Sequence, residues 1–219
     1  MEYLIRNADY LAAVKPPALC SENMPDGSGF CDLLQAENPG FLAPVYRLDR
    51  GVGGVLLYAR TPDAAAFFSA LVRDHALEKE YVAVLCGTPG QSDGNLRDLL
   101  YFDRRKNKSY VVTRPRNGVK EAVLTYRTLR SWTDAASGRP RTLVAVRLET
   151  GRTHQIRVQF ASRGLPLLGD RRYGGDADPG SRDISLWCRS VCLPAYREHP
   201  AARVEAAPPF GKECDAHVD

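Results

Sequence analysis

Apolar and polar positions alternate over short stretches of this chain far more often than they repeat at helical spacing, so the pattern predicts many strands and few helices. Residues 3–6 and 10–15 read as two short strands, and Lys15-Pro16-Pro17 ends the second because neither proline can donate to a ladder. The stretch from there to Gly29 reads as loop. Residues 55–59 are apolar throughout, as in a strand covered on both faces. Thr61-Pro62-Asp63 then carries a cap, a proline at the first helical position and an acid in the first turn. That helix is expected to run to about Arg73 and to bury Phe67, Phe68, Leu71 and Val72. Residues 79–86 alternate into a strand that stops at Gly87. Further strands are expected at 109–113, 121–130 and 141–148, with Arg116-Asn117-Gly118 and Ser137-Gly138-Arg139-Pro140 as hairpin signals between them. Thr153 reads as the cap of a helix running to about Ser162 and ended by Gly164, and strands near 184–188 and 203–206 close the fold. The sum is an α+β class: a predominantly antiparallel mixed sheet with flanking helices.

A length of 219 residues supports one sizeable core, so a single domain over residues 1–211 is expected, with 212–219 as a frayed tail. Hydrophobic residues make up 44% and charged ones 26%, which describes an ordinary globule, and no run of eighteen apolar residues is long enough for a membrane span. The start, Met1-Glu2-Tyr3-Leu4-Ile5-Arg6, has no cationic segment followed by an apolar stretch, so a cytoplasmic location without membrane contact is expected. The six cysteines (20, 31, 86, 188, 192 and 214) contain no Cys-x-x-Cys pair, which fits reduced thiols rather than a disulfide framework or zinc site. No metal is expected.

The net charge of +4 says little, but its distribution says more. Between Arg97 and Arg130 stand ten Lys or Arg against three acids, with Tyr101, Phe102 and Tyr110 among them. A solvated charged hairpin is the plain reading of such a run. Aromatics interleaved with cations can also stack bases while neutralising phosphates, and that favours RNA contact.

Two clusters carry candidate chemistry. Arg47-Leu48-Asp49-Arg50 sets an acid between two cations beside Gly51, Gly53 and Gly54; flanking arginines favour the carboxylate and glycines let a ligand approach. Such an environment suits a nucleophile, although Asp near Gly is also a common turn and Asp beside Arg a common surface pair. Thr150-Gly151-Arg152-Thr153-His154-Gln155-Ile156-Arg157 packs two guanidiniums, an imidazole and an amide into eight positions, groups that bind phosphates and base edges. The glycines form neither a dinucleotide fingerprint nor a Walker-type loop, and no cofactor is expected.

Tyr46-Arg47-Leu48-Asp49, Lys79-Glu80-Tyr81-Val82-Ala83, Gly151-Arg152-Thr153-His154-Gln155-Ile156-Arg157 and Gly169-Asp170-Arg171-Arg172-Tyr173-Gly174 resemble, in order and spacing, the RluA-like pseudouridine synthases over roughly residues 10 to 200. The resemblance implies the pseudouridine synthase catalytic fold, in which a long curved sheet carries the active cleft across its middle, and isomerisation of uridine to pseudouridine in structured RNA, transfer or ribosomal, after the base is flipped out. It implies Asp49 as nucleophile, attacking ribose or ring. Arg157 would pair with Asp49 and orient it, Tyr81 would stack on the uracil and assist proton transfer, and Ile156 would wall the pocket. Arg47 would hold the opened RNA, with Arg152, His154 and Gln155 as further substrate or structural contacts. A monomer binding RNA is expected. The family's first motif usually reads His-Arg-Leu-Asp followed by Thr-Ser-Gly; here Tyr46 replaces the His and Val52-Gly53-Gly54 the rest. A catalytically inactive RNA-binding protein of the same fold is the alternative, and a hydrolase using Asp49 ranks last for want of a partnered second acid or His.

Overall fold

The computed structural model describes residues 1–176 and 183–210; the expected tail at 212–219 and Cys214 lie outside the described residues. In chain order the elements are β1 (Tyr3–Arg6), β2 (Tyr10–Lys15), α1 (Phe30–Glu37), β3 (Ala43–Pro44), β4 (Gly53–Ala59), α2 (Pro62–Arg73), β5 (Lys79–Cys86), β6 (Asp93–Asp103), β7 (Lys108–Val112), β8 (Val119–Thr133), β9 (Pro140–Leu148), α3 (Gln155–Ala161), β10 (Leu186–Leu193) and β11 (Ala202–Glu205). They fall into two compact units, one formed by residues 1–79 with the chain from 187 onward, the other by residues 80–186. Mixed strand pairing with three helices is the α+β arrangement expected from the sequence.

In the first unit the strands run β1-β2-β4-β10, with β3 paired to β4 and β11 to β10. The β4–β10 pair is parallel and the others are antiparallel. Every residue of β4 is buried, which is why its sequence is apolar without alternation. Its two glycines permit the close parallel pairing. A Cβ at Gly53 would lie 2.3 Å from the Trp187 ring, and one at Gly54, where φ is +117°, would lie 2.2 Å from the Cys188 carbonyl oxygen. Helix α2 starts as its sequence predicts, with the Thr61 hydroxyl accepting the Ala64 N–H at 3.2 Å and Pro62 in the first turn. Its buried face is narrower than expected. Ala64 and Phe68 are buried, whereas Phe67, Leu71 and Val72 remain half-buried. Phe68 meets Tyr10 edge-on at 5.2 Å and Tyr196 at 5.7 Å, and Phe67 lies over Tyr196 at 4.8 Å. Helix α1 was not expected. Its signal is Asp32, whose carboxylate accepts the N–H of the cap residue Gly29 at 3.0 Å and the Met24 N–H of the preceding loop at 2.8 Å.

In the second unit the order is β5-β9-β8-β6-β7, antiparallel throughout. Strand β6, absent from the expectation, runs between β8 and β7. The consequence is that Arg116-Asn117-Gly118 is not a hairpin turn. It carries the chain from β7 across the end of β6 to β8, and the true hairpin lies at 104–107, where Asp103 pairs Lys108. The turn between β8 and β9 is the hairpin expected. Helix α3 begins one residue later than expected: His154, not Thr153, is the cap, in a left-handed conformation with φ of 56°. Gly164 ends it with φ of +73°. The helix packs through Val158 on Leu100 and Ala122, with Val111 and Tyr173 against them.

Candidate active site

Asp49 sits in a turn of the first unit closed by the Val52 N–H donating to its carbonyl at 2.9 Å. The chain on either side is held by buried side chains. Ser21 Oγ donates to the Leu48 carbonyl at 2.9 Å and accepts the Leu48 N–H at 3.0 Å. Lys15, wholly buried, points its ammonium at the carbonyls of Pro16 (2.9 Å), Leu19 (2.8 Å) and Arg50 (3.5 Å). Tyr46, which stands where the resembled motif has histidine, is buried and donates its hydroxyl to the Val55 carbonyl at 2.7 Å. The Lys79 ammonium lies 5.1 Å from the Tyr46 ring centre, and burial pulls that lysine below its usual pKa. The arginines flanking Asp49 also reach the neighbouring loop. Arg47 is exposed and pairs with Glu22 at 2.9 Å, while Arg50 Nε donates to the Ala18 carbonyl at 2.9 Å. Both brace the loop of residues 18–22 against the turn.

The second unit holds Tyr81, buried on β5 opposite Val146, and the cluster at 150–157. Arg157 is buried and bidentate to Asp170: Nε reaches Oδ2 at 2.7 Å and Nη2 reaches Oδ1 at 2.9 Å. Asp170 is fully buried, so the fork fixes one edge of the guanidinium. The Tyr173 ring lies 5.2 Å from the Arg157 guanidinium carbon, and its hydroxyl accepts the Ser109 N–H at 2.7 Å and meets His154 Nδ1 at 3.0 Å. Desolvation raises the Tyr173 pKa. The motif Gly169–Gly174 was visible in the sequence, but the partners it supplies to Arg157 and His154 were not.

Gln155 is turned inward. Its Oε1 accepts from the Arg152 N–H at 2.9 Å and Thr150 Oγ1 at 2.8 Å, and its Nε2 donates to the Val123 carbonyl at 3.0 Å. Its amide therefore shapes the loop that presents Arg152 and His154. Arg152 Nε donates to the Glu121 carbonyl at 2.8 Å, and Ile156 is buried in the first turn of α3. Against this loop opens a cleft of about 870 Å³ whose lining includes Tyr101, Phe102, Arg104, Arg105, Lys120 and Arg152. The Arg116 guanidinium stacks 4.6 Å from the centre of the Tyr101 ring. Asp103, an acid in the lining, has its Oδ1 engaged by the Arg105 and Lys106 amides at 2.9 and 3.1 Å. The cleft surface is therefore cationic and aromatic.

One group among the described residues has the ligand types of a metal site, Asp9 with Glu198 and His199. Both Asp9 oxygens are taken by protein donors, Arg197 at 2.8 Å and His199 at 3.1 Å, which makes the group an ion-pair network in the first unit. Among the described residues no helix is long and apolar enough to cross a membrane.

The family of RNA pseudouridylate synthases matches residues 9–162, a stretch that contains Asp49, Tyr81 and Arg157. The chain belongs to this family. Among its relatives, the chain is 31% identical over 210 residues to an uncharacterized RNA pseudouridine synthase of Zymomonas mobilis subsp. mobilis, covering 90% of this chain and 89% of that protein. It is 33% identical over 134 residues to the chloroplastic RNA pseudouridine synthase 2 of Oryza sativa subsp. japonica, and 31% identical over 149 residues to the ribosomal large subunit pseudouridine synthase D of Borreliella burgdorferi. These matches cover 60% and 68% of this chain but span only 29% and 43% of the two relatives. In fold, the chain is similar to human RNA pseudouridylate synthase domain containing 1, with a TM-score of 0.78 at 22% identity over 95% of this chain and 84% of that one. The pseudouridine synthase fold inferred from the motifs is thus the fold observed.

Proposed function

We propose that this chain isomerises uridine to pseudouridine in structured RNA, transfer or ribosomal, with Asp49 as the nucleophile. The observation that carries the reading is the Asp49 turn itself: a half-buried carboxylate on a backbone held from both sides, in a chain of this family. The reaction breaks the bond from ribose to the ring nitrogen, turns the uracil and joins ribose to carbon 5, whose hydrogen leaves as a proton while the nitrogen gains one. Nothing is oxidised or reduced, so the work is positioning and acid–base chemistry. In the parts the resemblance gives them, Arg157 steadies the charge on Asp49, Tyr81 stacks on the flipped base and moves a proton, and Ile156 lines the pocket. Arg47 is exposed enough to follow an RNA strand, and flipping costs a few kcal/mol that stacking and edge contacts offset. The cationic cleft supports a role for the second unit in gripping the phosphate backbone.

The test is incubation of purified protein with total RNA from cells lacking the gene, followed by mapping of pseudouridine. New pseudouridines made by the wild type and not by Asp49→Asn are expected. RNA binding with no turnover by the wild type would overturn the reading in favour of a binding protein.

A further inference from the structure

We propose that Ser21 is a positioning residue for Asp49, an assignment that rests on the reading of Asp49 as nucleophile. Leu48 is 6% exposed, so its N–H and C=O cannot turn to solvent, and both find their partner in the one Ser21 hydroxyl at 3.0 and 2.9 Å. The Leu48 carbonyl shares a rigid peptide plane with the Asp49 N–H, so Ser21 fixes the plane that leads into Asp49. The plane that leads out is fixed by the Val52 N–H on the Asp49 carbonyl at 2.9 Å. With both planes held, φ and ψ of Asp49 are set, and the carboxylate is aimed by its two side-chain torsions alone. Ser21 is in turn held by its surroundings. It is 4% exposed, and its own carbonyl accepts the hydroxyl of Tyr58, a fully buried residue, at 2.6 Å. Burial pushes that phenol well above its ordinary range, so it stays a donor.

Removing the hydroxyl leaves two buried backbone groups without this partner, and the turn must shift to find others. A shift of about 1 Å at a reacting atom can cost on the order of a hundredfold in rate. The test compares Ser21→Ala, Ser21→Thr and Asp49→Asn by steady-state release of label from carbon 5 and by hydrogen exchange at the Leu48 amide. For Ser21→Ala, kcat should fall about tenfold or more while KM stays within about twofold, and the Leu48 amide should lose protection. Ser21→Thr, which keeps the oxygen, should recover both. If Ser21→Ala does not fold, Tyr58→Phe replaces it, releasing the Ser21 carbonyl, and kcat should fall severalfold at constant KM. Wild-type kcat in Ser21→Ala or its replacement, or equal loss in the alanine and threonine variants, overturns the assignment. Turnover by Asp49→Asn would instead bring down the nucleophile reading, a result readily told from a dead Asp49→Asn beside a fully active Ser21→Ala.

Discussion

In the turn around Asp49, polar side chains are buried and their hydrogen bonds fall on backbone, whereas in the stretch between Arg97 and Arg130 the cations Arg104, Arg105 and Lys120 stand in water and line an open cleft. The first arrangement controls direction, because a buried hydroxyl or ammonium has few alternatives to the partner it has. The second controls charge, because an exposed guanidinium keeps its attraction for phosphate and gives little to stability. Substitutions in the turn should therefore move turnover at constant affinity, and substitutions in the cleft should move affinity and salt dependence at constant turnover on bound RNA.

The largest effect that could break this contrast is at Asp49 itself. Asp49→Asn keeps the shape and loses the nucleophile, so isomerisation should disappear while RNA affinity stays within a few-fold; titration of labelled RNA and release of label from carbon 5 measure the two. Arg157→Lys keeps the charge but loses the fork that grips Asp170, and turnover should fall by orders of magnitude with the fold intact. Full activity in that variant would remove Arg157 from the catalytic set. Tyr81→Phe retains the ring, so RNA should bind normally and kcat should fall on the order of a hundredfold if the hydroxyl moves a proton; near-normal turnover would leave stacking as the whole role. Asp170→Asn breaks a buried ion pair and should cost about 3 kcal/mol of stability, read from chemical denaturation. An unfolding midpoint equal to the wild type would show the pair to be dispensable for the fold. The smallest effect is expected in the cleft. Neutralising Arg104, Arg105 and Lys106 together should weaken RNA binding about equally across sequences and reduce the salt slope by about 2 to 3, with kcat at saturating RNA unchanged. An unchanged slope would return the hairpin to a merely solvated role.

Those elements whose signals are local were legible in the sequence. Strands β1, β2 and β5 and the start of α2 follow from alternation, the prolines at 16 and 17 and the Thr61 cap. Strand β6 was hidden because Asp, Gly and Asn open it and only Leu96 and Leu100 are buried along it; the pairing with β7 and β8 overrides its composition. Helix α1 was hidden because its cap is a glycine and the accepting carboxylate lies three residues inside. The helix at the arginine-histidine cluster starts at Gln155 because that side chain folds back onto Arg152 and Thr150 and reaches Val123, a contact across 32 residues. Of the residues proposed for catalysis, Asp49, Tyr81 and Arg157 were read from motifs, but Ser21 carries no local signature. It is a serine in a loop until residue 48 is brought to it. Asp170 stood in a quoted motif among arginines, and only the fold selects Arg157 as its partner.

The contact between Gly53 and Trp187 constrains which sequences this backbone can hold as well as its shape. A serine at position 53, which the resembled motif carries, needs the space that the indole occupies, and the indole is tied by its N–H to the Ala206 carbonyl at 2.9 Å. Neither position tolerates the change alone: Gly53→Ser with Trp187 in place collides, and shrinking Trp187 first leaves a hole in a packed core. The two residues form an epistatic pair. A graft of serine into position 53 therefore has to begin at Trp187, and even then it sets the new Cβ 2.9 Å from the Lys15 carbonyl oxygen.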